Sequence, residues 1–182
     1  MENIYIVRHC EAQGQPPEAR LTEKGLQQAN ELAAFFADKK IDRIITSPYK
    51  RAIDTMQPFA TKVNVEIELD DRLTERVLST KNLPDWLEKL EASFEDLDLK
   101  YDDGESSREA MNRIVEVVDD VINTDDHQNT IIVTHGNLMS LLLKHFNQEF
   151  GFEEWKNLRN PEVYLLNHEK GRVTQLEFTV TT

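Results

Sequence analysis

The chain has a single cysteine, Cys10, among 182 residues. That excludes an internal disulfide and suits a reducing compartment. It also has few cations for its acids. Lys plus Arg is 21 and Asp plus Glu is 34, so the formal charge is −13. A body of that sign is a poor partner for nucleic acid, whose phosphates need Lys and Arg, and for an anionic membrane surface. Any anion-binding site must be a local pocket of positive charge. Long apolar runs are missing too: no stretch approaches the roughly 18 residues of a membrane span, and no basic, apolar leader opens the sequence. Internal repeats and low-complexity tracts are absent. The expectation is one soluble, cytoplasmic domain over 1–182.

What is present is a regular alternation of short apolar runs and amphipathic stretches. Ile4–Val7 reads as a buried strand, and 12–20, with Gly14, Pro16 and Pro17, as a loop. Thr22 offers a cap to a helix over 23–38 whose stripe is Leu26, Ala29, Leu32, Ala33 and Phe36. A strand at 43–46 leads to Ser47-Pro48, which reads as a helix start with Ser47 as its cap. A third strand is expected over 63–69. The stripe Leu83, Leu87, Leu90, Phe94 and Leu97 marks one helix inside 75–104, an acidic segment that reads as a cap or insertion over the site. A clean helix follows Gly104–Ser107. Thr130–Thr134 is a strand ending at His135-Gly136, Asn137 is placed to cap the next helix, and 162–166 with 172–178 close the chain as two strands. This order predicts an α/β fold: a three-layer α/β/α sandwich around a mostly parallel sheet.

Charged residues gather at the ends of these strands. Arg8 and His9 follow the first, Arg51 opens the helix after the second, Glu75 lies beyond the third, and His135-Gly136 follows the Thr130–Thr134 strand. In a parallel sheet these junctions share one edge, where ligands of open α/β sheets bind. Two arginines suit a phosphate dianion, helix N-termini near Ser47 and Gly136 add donors, and an imidazole can attack phosphorus to form a phosphohistidine. Glu75 can protonate the leaving oxygen and later take a proton from water. His127, His145 and His168 lack a strand-end context and read as structural. A cysteine phosphatase is excluded, because its Cys-x5-Arg loop would need arginine where Pro16 stands. Zinc fares no better, since the histidines show no paired spacing and there is no second cysteine.

On these residues the sequence resembles the histidine phosphatase superfamily, the phosphoglycerate mutase-like family. Arg8-His9-Cys10-Glu11 matches the family's Arg-His-Gly signature, with Cys10 in place of glycine. Leu21–Ala29, Ser47–Thr55, Leu73-Thr74-Glu75, Gly104-Glu105-Ser106 and Val133–Gly136 match its later segments in order. The resemblance implies that His9 is the nucleophile, that Arg8, Arg51 and His135 hold phosphate, and that Glu75 is the general acid and base. Gln15, where the family often has asparagine, and Gly136 are the candidate substrate-binding residues. Ala12 stands where the family often has threonine. Gly104-Glu105-Ser106 reads as a turn and helix start, with no role for its side chains. No metal and no cofactor are expected, and the partner is a small-molecule phosphomonoester. The implied activity is phosphomonoester hydrolysis through phosphohistidine. Its rivals are a phosphoglycerate mutase and an inactive phosphate-binding protein. After Glu75 the chain reads Arg-Val-Leu-Ser, without the glycine-rich run common in the mutase branch, and the 75–104 insertion is modest where family mutases are usually longer, which favours hydrolysis. Specificity should come from 12–20 and 75–104. Oligomeric state is not legible in the sequence.

Overall fold

The computed structural model describes residues 3–124 and 126–182. Six strands form one sheet in the order β3-β2-β4-β1-β5-β6. In chain order they are β1 (Asn3–Arg8), β2 (Arg43–Thr46), β3 (Ile67–Leu69), β4 (Asn129–Thr134), β5 (Glu162–Asn167) and β6 (Arg172–Gln175). β1 to β4 run parallel, while β5 and β6 add an antiparallel hairpin beside β1. The expected three-layer α/β fold is what the chain adopts.

Alternation along β1 sorts its side chains between two cores. Ile4 and Ile6 pack with Ile45 and Ile132 beneath α3 (Trp86–Glu95), α4 (Ser107–Ile122) and α5 (Gly136–Phe146). Tyr5 and Val7 pack on the opposite face with Ile44, Ile131 and Val133, under α1 (Glu23–Phe36) and α2 (Lys50–Val63). Both faces being covered explains why the parallel strands read as unbroken apolar runs. Among the described residues, no helix is long and apolar enough to cross a membrane.

Several local expectations are corrected. Ser47 does not cap α2, which begins at Lys50 after Tyr49; the Ser47 hydroxyl instead accepts the Tyr49 N–H at 3.2 Å. Val63 ends α2, so β3 is only Ile67–Leu69. Leu26 and Leu87, placed on buried stripes, are 51% and 45% exposed. α5 starts at Gly136 with His135 in the cap position, which puts Asn137 inside the helix. A short helix, α6 (Phe152–Lys156), has no sequence counterpart because five residues carry no readable periodicity.

Candidate active site

The parallel strands deliver their carboxyl ends to one edge. The Leu21–Ala29 segment supports the exit of β1. Thr22 caps α1 through the Gly25 N–H (3.0 Å) and donates its hydroxyl to Glu11 Oε2 (2.6 Å), while Gln28 Oε1 accepts the Glu11 N–H (3.0 Å). Gly25 is needed there, since a Cβ would lie 2.1 Å from the Glu11 carbonyl. One residue earlier, the Cys10 N–H donates to Thr55 Oγ1 at 2.9 Å, and the Cys10 side chain is fully buried in the core. Burial pushes its thiol up to about 12, so it is no thiolate nucleophile.

His9 is held from several directions. Its N–H donates to Thr134 O (3.1 Å), and its carbonyl accepts Asn160 Nδ2–H (2.9 Å). Its Nδ1 lies 2.7 Å from the Cys10 carbonyl, and Arg51 Nε–H points at its Nε2 from 3.3 Å. A carbonyl can only accept and a guanidinium can only donate, so the proton sits on Nδ1 and Nε2 carries the lone pair. Burial, then repulsion from Arg51 and Arg8, lowers His9 from 6.5 to about 3, overcoming the opposing pull of the Cys10 carbonyl. The ring is therefore neutral across the physiological range.

His135 packs edge-on against His9, with ring centroids 5.0 Å apart. Its Nε2 is 2.8 Å from Ser47 Oγ, and its buried Nδ1 has no hydrogen-bond partner among the described residues. Ser47 Oγ has a hydrogen to give and a second lone pair to offer, so this contact holds the ring without choosing its tautomer. Burial, reinforced by His9 and the nearby arginines, holds His135 well below the ordinary histidine range. It lies behind His9 rather than on the open wall.

The open corner is a cavity of about 150 Å³ whose lining includes Arg8, His9, Gln15, Arg51, Glu75, Gly136 and Asn160. Arg51 is 2% exposed and anchors the 12–20 loop by donating Nη1–H to Pro16 O at 2.9 Å. Arg8 donates Nη1–H to Leu158 O at 3.0 Å, while its Nε is buried without a partner among the described residues. Gly136 makes that pose available: a Cβ there would come within 2.9 Å of the guanidinium. Larger clefts of about 760 and 600 Å³ run along α2 and contain none of these residues.

Glu75 is fixed at the N-terminus of α5. Its Oε1 accepts N–H bonds from Arg76 (2.8 Å) and Leu138 (2.9 Å), and its Oε2 accepts one from Asn137 (3.0 Å). The first amides of α5, expected to face an anionic ligand directly, thus serve a carboxylate. Behind Glu75 stands a pair that sequence reasoning passed over. Glu105 and Arg113 form a two-pronged ion pair (2.6 and 3.1 Å), and Arg113 donates to the carbonyls of Arg72, Thr74 and Glu75. Glu105 Oε1 also accepts the Val77 N–H at 3.0 Å. Gly104-Glu105-Ser106 is a turn and helix start, as expected, but its side chains do have roles: Ser106 caps α4, and Glu105 positions the segment that carries Glu75. Asn160 was passed over as well, since its contact with His9 spans 151 residues.

A sheet covered on both faces, with His9 and two arginines lining a pocket at its carboxyl edge, defines an α/β protein with a cationic site. The chain belongs to the histidine phosphatase superfamily (branch 1), whose family model matches residues 4–181. Phosphoserine phosphatase 1 of Hydrogenobacter thermophilus is 27% identical over 74% of this chain and 71% of its own. A protein of Erwinia tasmaniensis named "Probable phosphoglycerate mutase GpmB" is 28% identical over 93% of this chain and 86% of its own. Among solved structures, a variant of the phosphoserine phosphatase of Entamoeba histolytica, in complex with phosphoserine, superposes with a TM-score of 0.78. It is 22% identical and is matched over 98% of this chain and 96% of that one.

Proposed function

We propose that the protein is a phosphomonoester phosphatase that works through a phosphohistidine on His9. The observation that carries this reading is the tautomer. The Cys10 carbonyl fixes the proton on Nδ1, leaving a lone pair on the nitrogen that faces the Arg51 guanidinium. A substrate phosphoryl group binds between Arg8 and Arg51 and replaces Arg51 at Nε2. The Nε2 lone pair forms the N–P bond as the P–O bond to the alcohol breaks. The alcohol oxygen leaves with that bond's electrons and takes a proton from Glu75, whose Oε2 accepts only one main-chain bond and keeps a site for it. The phosphoimidazole keeps its Nδ1–H on the Cys10 carbonyl. His135 backs the His9 ring from behind, and Gln15 and Gly136 complete the pocket.

In the second step Glu75 takes a proton from water, the hydroxide attacks phosphorus, and the N–P bond breaks to restore neutral His9. Nothing in this sequence of steps calls for a metal or a cofactor. We read 75–104 as a cap within one domain, because Leu78, Trp86 and Leu90 wall the approach to Glu75. Cys10, buried and unpaired, suits a cytoplasmic setting.

The test is a quench experiment with a 32P-labelled phosphomonoester. Wild type should trap an acid-labile, base-stable phosphoenzyme approaching one per chain. His9→Ala should trap none and lose about 10⁴-fold in kcat. Undiminished turnover by His9→Ala would refute the mechanism. Supplying 3-phosphoglycerate should release inorganic phosphate; conversion to 2-phosphoglycerate instead would make the protein a mutase.

A further inference from the structure

Beside the phosphate corner lies a second cavity of about 430 Å³. It shares Arg8, Gln15 and Glu75 with the corner, so an alcohol leaving a phosphoryl group on His9 toward Glu75 emerges into it. Its remaining walls are mainly apolar: Leu78 and Leu90, with Trp86 and Trp155, which are the chain's two tryptophans. Trp86 is 50% exposed, and Trp155 is braced by stacking on Phe152 at 5.6 Å.

The charges in this chamber are already committed. Arg8 belongs to the phosphoryl group. Arg76 is 5% exposed and turned into the protein, donating to Glu105 O, Ser93 Oγ and Ser107 Oγ. Lys81, further out, is paired with Asp102 at 3.1 Å. Among the described residues no uncommitted cation lines the chamber to receive a carboxylate, and Glu75 would repel one. One polar residue of the lining carries an unpaired acceptor. Asn137 is 8% exposed, and its Oδ1 is buried without a hydrogen-bond partner among the described residues. It accepts a hydrogen bond and makes no demand for charge.

We propose that the alcohol half of the substrate is uncharged, carrying a flat aromatic or apolar group that packs on Trp86 and Trp155 and an O–H or N–H that donates to Asn137. Phosphomonoesters bearing a carboxylate are the disfavoured class. This rests on the phosphatase reading above and deepens it with a substrate class.

The experiment compares esters of similar alkyl reactivity: 2-phenylethyl phosphate, its 4-hydroxyphenyl analogue, ethyl phosphate, phosphoserine and 3-phosphoglycerate. The aromatic pair should exceed the others in kcat/KM by at least about tenfold, the discrimination an apolar pocket gives. Trp86→Ala should collapse most of that ratio. A preference for the carboxylated esters, or an equal loss on every ester in Trp86→Ala, overturns the proposal. Binding is read separately on His9→Ala by tryptophan fluorescence, which reports only this chamber, using 2-phenylethyl phosphonate against a carboxylated phosphonate. Tighter aromatic binding with no turnover by wild type on any ester would sink the phosphatase reading while sustaining the chamber's preference. Tighter binding of the carboxylated ligand would sink the chamber's preference alone.

Discussion

At the phosphate corner, His9, Arg51 and His135 are 9%, 2% and 1% exposed, and each has a hydrogen-bond partner that sets its pose. In the adjoining chamber Trp86 stands half exposed at the start of α3, and the walls it shares with Leu78 and Leu90 are apolar. The corner gathers around strand ends, where the sheet ladder fixes the backbone; the chamber's apolar walls come from segments outside the sheet. Groups that must meet a phosphorus atom in line need that rigidity, because misplacement by an ångström is costly. A surface that only selects an alcohol by apolar contact does not. The same contrast separates invariant chemistry from adjustable preference within one site.

The sharpest way to break this contrast is Gly136→Ala. One methyl group would press on the Arg8 guanidinium, and kcat/KM should fall about 100-fold on every phosphomonoester, whatever its alcohol. A loss that varied with the alcohol would mean that corner and chamber are not separable. Glu105→Ala comes next in size. It frees Arg113, slackens the carbonyls around Glu75, and should lower kcat about tenfold with little change in KM. Thermal unfolding should show a loss of about 2 kcal/mol, and Glu105→Gln should recover most of both effects.

The third way is through stability against pH. Folded, His9 titrates at about 3 rather than 6.5, and His135 is displaced in the same direction. Below about 6.5 the unfolded chain binds protons that the native chain refuses. Stability should therefore be full above that pH and fall as pH drops toward 3, by up to about 1.4 kcal/mol per pH unit for each histidine. Urea midpoints from pH 7.5 to 5 measure this. His9→Gln should flatten the slope, whereas Trp86→Ala should not. Equal slopes in all three proteins would deny the corner its special electrostatics.

Much of the corner was legible before any coordinates. Arg8, His9, Arg51, Glu75 and His135 sit next to elements whose period is plain in sequence, and the parallel topology that unites them follows from alternating strands and helices. What escaped was set by contacts distant along the chain. Asn160 reaches back to His9 across 151 residues, Glu105 reaches Val77 across 28, and Trp155 lies on a helix too short to show a period. The donors expected at the start of α5 also changed purpose, because Glu75 arrives there from 62 residues away.

By itself, the sequence determined the doubly covered sheet and the set of charged residues at its carboxyl edge, because apolar periodicity and strand ends are local properties. Only the tertiary structure decided which nitrogen of His9 keeps its lone pair, which amides hold Glu75, and that both tryptophans wall the cavity beside Glu75. Those outcomes depend on which atoms meet across the fold, and on burial that alters a proton's affinity only once the chain has closed around it.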